Sequence, residues 1–445
     1  MSALARLLRA RGLPVSGCSD RITELTERLT LEGIPVDIGH SADHLSDAGT
    51  VVVSSAIASD NPELVEAQRR GLHVVRRGSL LATLMSGASG IAVAGTHGKT
   101  TTTAMLGTIL ERAGFDPTVV VGGEIPSGSN ARNGNGEWFV AESDESDGSF
   151  LELRPRIAVV TNVENDHVTC DAGLRELIAS FERFMDCIGS DGTVAIGVDE
   201  PRAAQLAMRR KNGAMTFGFA PNSNVRATAV CYDGFGSTFD VLVDGARAGA
   251  IALRVPGAIN VQNALGALCA ALAAGVPFAA AAEALAQFRG VRRRFEVLAR
   301  SQRMTVVDDY AHHPTAVEAT IAAARAGWDG DIVVAFQPHR FTRTQYLARE
   351  FALSLRGADH VVLTPIYAAS ESPLPGVDAT SIGEPLRGMG TEVSYVDAVD
   401  DVPDALLSLS ASGALALLLG AGTITSAAHD LAERVTAVPV ERIAP

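Results

Sequence analysis

The run Ile91-Ala92-Val93-Ala94-Gly95-Thr96-His97-Gly98-Lys99-Thr100-Thr101 constrains the fold more than any other feature of the chain. Four residues of strand character feed a glycine turn, and Lys-Thr then opens a helix. Phosphate needs that order: glycines let the backbone approach the oxygens, and the helix N-terminus adds a favourable dipole. A lysine offsets the β- and γ-phosphate charge, and a hydroxyl is placed to ligate Mg²⁺. A strand passing directly into a helix through such a turn belongs to a parallel, helix-covered sheet. The spacing departs from G-x-x-x-x-G-K-[ST], because Val93 fills the slot of the first glycine. A glycine turn merely capped by threonines is the rival reading, and the joint order of strand, Gly-Lys-Thr and helix weighs against it. The pattern implies an ATP-using enzyme with Gly95, Thr96, His97, Gly98, Lys99, Thr100 and Thr101 around the phosphates.

At 445 residues the chain is too long for one ordinary domain. The cluster Ser86-Gly87-Ala88-Ser89-Gly90 reads as a linker ahead of the phosphate-loop domain, and strand and helix signals alternate again after Gly290. Domains are therefore expected at 1–86, 87–290 and 291–445, all α/β. The central one is of P-loop ATPase type, and the C-terminal one is Rossmann-like, with strands at Met304–Val307, Ile332–Phe336, His360–Leu363 and Leu415–Leu419. The first reads as Rossmann-like with its first strand missing. It opens on a helix, Ser2–Arg11, where a nucleotide-binding domain normally starts one strand and one glycine turn earlier.

A net charge of −14 argues against a nucleic-acid partner, since phosphate backbones are held by basic surfaces. Five cysteines lie far apart with no Cys-x-x-Cys pair, which suits a reducing cytoplasm. No stretch reaches the roughly 20 apolar residues of a membrane helix, and no leader pattern is evident. A soluble, cytoplasmic protein is expected, as monomer or homodimer.

Further chemistry-bearing groups sit at predicted strand ends. Trp138–Ala141 runs into Glu142-Ser143-Asp144-Glu145-Ser146-Asp147, four carboxylates of which Glu142 is the expected Mg²⁺ ligand. Thr161-Asn162-Val163-Glu164-Asn165-Asp166-His167 ends another strand with a carboxylate and an imidazole. Asn260 and Asn263 open an alanine-rich helix, either as caps or as amides aimed at the nucleotide, and spacing does not choose. Arg292-Arg293-Arg294-Phe295 stands at a domain junction, where a guanidinium can meet a transferring phosphoryl group. Asp308-Asp309-Tyr310-Ala311-His312-His313 and Gln337-Pro338-His339-Arg340-Phe341-Thr342-Arg343 each follow an apolar strand, on the side where such sheets bind ligands.

Taken together, GTHGKTTTT, ESDESDGSF, TNVENDH, the N-x-x-N pair, GVRRRF, DDYAHHPT, AFQPHRFTRT and LLLGAGTI resemble the Mur ligase family, amide-forming enzymes of bacterial cell-wall precursor synthesis, over nearly the whole chain. The resemblance implies ATP-dependent joining of L-alanine to the lactoyl carboxylate of UDP-N-acetylmuramate through an acyl phosphate. It places Lys99 and Thr100 at the γ-phosphate and first Mg²⁺, Glu142 at the same metal, and His167 at a second. Asn263 and Asn260 would contact nucleotide, and Arg294 and Asp309 would reach ATP. His339, Arg340 and Arg343, with His312, would form the alanine and substrate-carboxylate site, and Ser54 and Ser55 the UDP-sugar contacts. The third domain would close over ATP. A murein-peptide ligase on the same nucleotide sugar and a non-catalytic nucleotide-binding relative are the alternatives.

Overall fold

The computed structural model describes residues 1–45, 47–125, 128–164, 171–210, 213–409 and 413–437. The chain divides into two compact units, one of Met1–Arg226, Leu242–Gly249 and Gln262–Leu285, the other of Ala227–Val241, Ala250–Val261 and Ala286–Pro445. No helix among the described residues is long and apolar enough to cross a membrane.

The first unit begins with a helix, Ser2–Ala10, whose buried Ala3, Leu4 and Leu7 join the core beneath the main sheet. Four short strands follow: β1 (Gly17–Ser19), β2 (Val36–Ile38), β3 (Thr50–Val53) and β4 (His73–Arg76). They form two separate parallel pairs, β1 with β2 and β3 with β4, rather than one Rossmann-like sheet. No residue of these strands is fully buried. A continuous parallel sheet needs cover on both faces.

The central sheet shows that cover. Its strands are β5 (Ser89–Ala94), β6 (Thr118–Val120), β7 (Ala131–Arg132), β8 (Trp138–Glu142), β9 (Ile157–Val160), β10 (Thr193–Gly197) and β11 (Met215–Gly218), ordered β11-β10-β9-β5-β8-β6-β7. All neighbours run parallel except β7, which pairs antiparallel with β6. β5 lies in the middle and is buried from Gly90 to Ala94, which is why it reads as an unbroken apolar run. Register places Glu142 beside Val93 and Val160 beside Ala94, so the carboxyl ends of β5, β8 and β9 share one edge. Three more strands follow in sequence, β12 (Val225–Asp233), β13 (Gly236–Val243) and β14 (Ala246–Leu253), the first pairing parallel with β11 through Val225 and Arg226.

The second unit carries β15 (Glu296–Arg300), β16 (Met304–Asp309), β17 (Ile332–Phe336), β18 (His360–Leu363), β19 (Glu392–Tyr395) and β20 (Ala414–Leu419), ordered β15-β16-β20-β17-β18-β19. Five strands are parallel and fit the doubly wound expectation. β15 is antiparallel to β16, because only three residues separate them and a parallel return needs a long crossover. Asp309 and Phe336 both register with Leu419, which brings Asp309, Gln337 and Gly420 to the same edge.

Candidate active site

In the first unit the phosphate loop has the predicted form. Gly95 (φ 133°) and Gly98 (φ 81°) occupy backbone conformations that favour glycine, and Lys99–Arg112 is a helix. Space demands glycine too. A Cβ at Gly95 would overlap the Thr161 hydroxyl, and one at Gly98 the Asn263 carboxamide oxygen.

Residues after β9 clamp the loop, a role that sequence reasoning missed. Asn162 takes the His97 N–H on its Oδ1 (2.9 Å) and donates to the His97 carbonyl (3.0 Å), while the Thr161 hydroxyl donates to that carbonyl as well (2.6 Å). The Thr96 hydroxyl accepts from the Glu164 N–H at 2.8 Å, and the Thr96 N–H donates to the Asn162 carbonyl. The N–H groups of Thr96 and His97 are thus turned to Asn162. The donors that a helix start leaves without an intrahelical acceptor belong to its first turn, from Lys99 onward.

The Lys99 ammonium donates to both Glu145 oxygens (3.0 and 2.9 Å) and to the Gly95 and Thr96 carbonyls (2.5 and 3.2 Å). Burial pushes the Glu145 carboxyl up, and the Lys99 charge opposes that rise. Glu142 is set differently. Its carboxylate accepts the Thr100 hydroxyl at 3.0 Å and the Gly122 N–H at 2.6 Å. Adjacent ligands of an octahedral ion with bonds of about 2.1 Å lie about 3 Å apart, so Thr100 and Glu142 fit neighbouring positions on one Mg²⁺. His167 lies outside the described residues, with Asn165 and Asp166.

Asn263 is buried behind the loop, and its Oδ1 accepts the Thr102 hydroxyl at 3.3 Å. Asn260 instead donates to the Pro256 carbonyl at 2.7 Å, in the turn that starts its helix. Ser54 and Ser55 follow β3, in a turn closed by the Ile57 N–H on the Ser54 carbonyl.

In the second unit Asp309 organises the loop that holds the arginines. Its Oδ2 accepts the Phe295 N–H (2.7 Å) and its Oδ1 the Ala311 N–H (2.8 Å). Burial pushes this carboxyl up, while Arg294 and the two N–H groups pull it down. Arg293 and Arg294 both lie over the Tyr310 ring at 5.0 Å. From Tyr310 the rings continue edge-on to His312 (5.1 Å), to His339 (5.4 Å), then stacked onto Tyr367 (5.6 Å). His312 Nδ1 is 2.9 Å from the Tyr310 carbonyl. Tyr367 also bridges the His339 strand end, giving its N–H to the Pro338 carbonyl and taking the Arg340 N–H. Arg340 has φ 70° at the head of the Phe341–Leu355 helix, and Arg343 is buried in that helix's first turn. Sequence reasoning found both histidines and both arginines but not Tyr367, which carries no motif signal.

Family descriptions match the chain in three stretches: "Mur ligase family, catalytic domain" at residues 1–89, "Mur ligase middle domain" at 93–271 and "Mur ligase, glutamate ligase domain" at 293–422. The chain belongs to the Mur ligase family. It is 45% identical to the UDP-N-acetylmuramate–L-alanine ligase of Trichlorobacter lovleyi, over 98% of this chain and 96% of that protein. It is 44% identical to the enzyme of the same name from Carboxydothermus hydrogenoformans, over 97% and 93%. Among solved structures, the UDP-N-acetylmuramate-alanine ligase of Thermotoga maritima matches with a TM-score of 0.85 at 30% identity, covering 98% of this chain and 96% of that one. The three-domain α/β architecture is that of a Mur ligase.

One property of this Mur ligase follows from its packing. Burial, with the Arg343 and Arg340 guanidiniums nearby, pushes the His339 imidazole down to about 4, so the ring is neutral at pH 7. A histidine depressed below its unfolded value of about 6.5 contributes stability that is complete above that pH. The contribution is lost as the pH falls from 6.5 through 4. In urea melts at pH 7, 6, 5 and 4, His339→Gln is expected to flatten the decline of the midpoint across this window. An equally steep decline in the variant would remove His339 as its source.

Proposed function

We propose that this Mur ligase joins L-alanine to the lactoyl carboxylate of UDP-N-acetylmuramate, with ATP cleaved to ADP and phosphate, among soluble nucleotides of the cytoplasm. The observation that carries the reading is near-full-length identity of 45% and 44% to two ligases of that name. A lysine-bearing phosphate loop and a neutral histidine flanked by two arginines support it.

In this reading the carboxylate oxygen attacks the γ-phosphorus, forming an acyl phosphate and releasing ADP. The alanine amine then attacks the acyl carbon, and phosphate leaves as the amide forms. Lys99 exchanges Glu145 for the phosphate oxygens while the Gly95 and Thr96 carbonyls keep it aimed. Thr100 and Glu142 would hold one Mg²⁺, and His167 would serve a second. When bound, the metal neutralises charge building on the transferring group. Asn263 holds the loop that meets the phosphates, Asn260 contacts the nucleotide, and Arg294 with Asp309 serves the γ-phosphoryl group. A neutral His339, flanked by Arg340, Arg343 and His312, receives alanine. The arginines take its carboxylate, and the uncharged ring leaves the amine free of a competing cation. Ser54 and Ser55 contact the UDP-sugar.

Phosphate release tests this directly. With ATP, Mg²⁺ and UDP-N-acetylmuramate, release is expected to depend on L-alanine, with glycine and L-serine poorer. Release driven by tripeptide and not by alanine would replace the reading with murein-peptide ligation, and release with none of them would sink it. In the same assay Arg343→Ala is expected to raise the alanine KM roughly 10- to 100-fold with kcat changed far less, the loss of one charge-assisted contact. An unchanged KM would take Arg343 out of the alanine site.

A further inference from the structure

A thiol, an imidazole and a carboxylate converge in the first domain, on residues to which the proposed reaction assigns no role. Cys18 lies within β1, His40 two residues beyond β2, and Glu63 in the first turn of the helix Pro62–Arg70. The parallel pairing of β1 with β2 sets the first two side by side, with Cys18 opposite Asp37. Glu63 is fixed by its helix start, where the Asn61 side chain accepts the Glu63 and Leu64 N–H groups.

The geometry is close. Cys18 Sγ donates to Glu63 Oε2 at 2.9 Å and lies 3.2 Å from His40 Nδ1, which is itself 3.7 Å from Glu63 Oε1. Ligands of a tetrahedral ion with bonds of 2.0 to 2.3 Å sit about 3.3 to 3.8 Å apart, so shifts of a few tenths of an ångström suffice. The outer contacts fit as well. His40 Nε2 is 3.0 Å from an Asp20 carboxylate oxygen, the arrangement that orients a metal-bound imidazole. His44 Nδ1 sits 2.7 Å from Glu63 Oε1, and the Ser41 N–H donates to the same oxygen, so the carboxylate too is held from behind. All three inner residues are half-buried.

We propose that Cys18, His40 and Glu63 bind one zinc-class divalent cation, distinct from the catalytic Mg²⁺, with the fourth position left to water or an exogenous group. The thiolate donor selects that class, because Mg²⁺ prefers hard oxygen ligands and does not take sulfur. On binding, the cation replaces the proton that Cys18 shares with Glu63, and that proton passes to buffer.

Cobalt titration of the full chain in excess Mg²⁺ tests the site. One Co²⁺ per chain is expected to give a thiolate-to-cobalt charge-transfer band with intense tetrahedral d–d bands, both displaced by Zn²⁺. Cys18→Ser is expected to abolish the charge-transfer band, His40→Gln to weaken binding at least tenfold, and Asp20→Asn to weaken it roughly 10- to 100-fold. No band in the wild-type chain, or a band that survives in Cys18→Ser, would overturn the proposal. Should Cys18→Ser not fold, the wild-type chain decides by alkylation. Zn²⁺ is expected to slow modification of Cys18 at least tenfold and leave the exposed Cys231 unaffected. Equal rates with and without Zn²⁺ would overturn the proposal.

Discussion

Lys99→Ala is expected to lower kcat/KM by about 10³-fold or more, the largest effect of any single substitution in the phosphate loop. Its ammonium is the one cation that the loop itself supplies, and preorganised charge at a transferring phosphoryl group is worth several kcal/mol in a site screened from water. The same substitution has a structural cost. Glu145, with a side chain only 7% exposed, would lose the cation that offsets its burial. Breaking a largely buried pair in this way destabilises by about 3 kcal/mol. Adding Glu145→Gln separates the two effects, because a neutral amide tolerates burial where an unpaired carboxylate does not. The double variant is expected to regain most of the denaturation midpoint and none of the turnover. Turnover restored together with stability would mean that Lys99 serves the fold and not the phosphates.

Which parts of this site can be read from sequence depends on how local their determinants are. The phosphate loop is legible because strand, glycine turn and lysine are all specified within eleven residues. The central and C-terminal strands are legible because burial on both faces leaves unbroken apolar runs, as in Ile332–Phe336 and His360–Leu363, whose bounds the structure repeats. Glu142 and Glu145 are harder to tell apart. They stand three residues apart after one strand, and only the pairing of Glu142 with Val93 turns one to Thr100 while the other reaches Lys99. The clamp from Thr161 and Asn162 is a set of side-chain bonds to backbone 64 or more residues away, which no spacing reports. Tyr367 stacks on His339 across 28 residues of sequence for the same reason. The division of the first domain's strands into two pairs was not foreseen, since strands of three and four residues with no buried position leave little periodicity to read.

Asp309→Ala is the counterpart in the second unit, and here stability and activity are expected to fall together. The carboxylate collects two buried N–H groups from opposite sides of the loop, those of Phe295 and Ala311. Each left without a partner costs about 1 to 3 kcal/mol. Phe295 and Arg293 also hold φ of 49° and 57°, a region that side-chain-bearing residues rarely adopt and that persists only when other contacts enforce it. A loss of about 2 to 4 kcal/mol in urea denaturation is therefore expected. As the loop relaxes, the Arg294 guanidinium leaves its place over Tyr310. A displacement near 1 Å at a reacting group costs about 100-fold, so kcat/KM is expected to drop by at least that much. Asp309→Asn distinguishes positioning from charge. Its carboxamide oxygen accepts one N–H while its own NH₂ opposes the other, so about half of the stability should return. With no negative charge to pair with Arg294, turnover is expected to stay within tenfold of the alanine variant. Wild-type turnover in Asp309→Asn would show that the hydrogen bonds matter and the charge does not, leaving Arg294 to act on the phosphoryl group without a carboxylate partner.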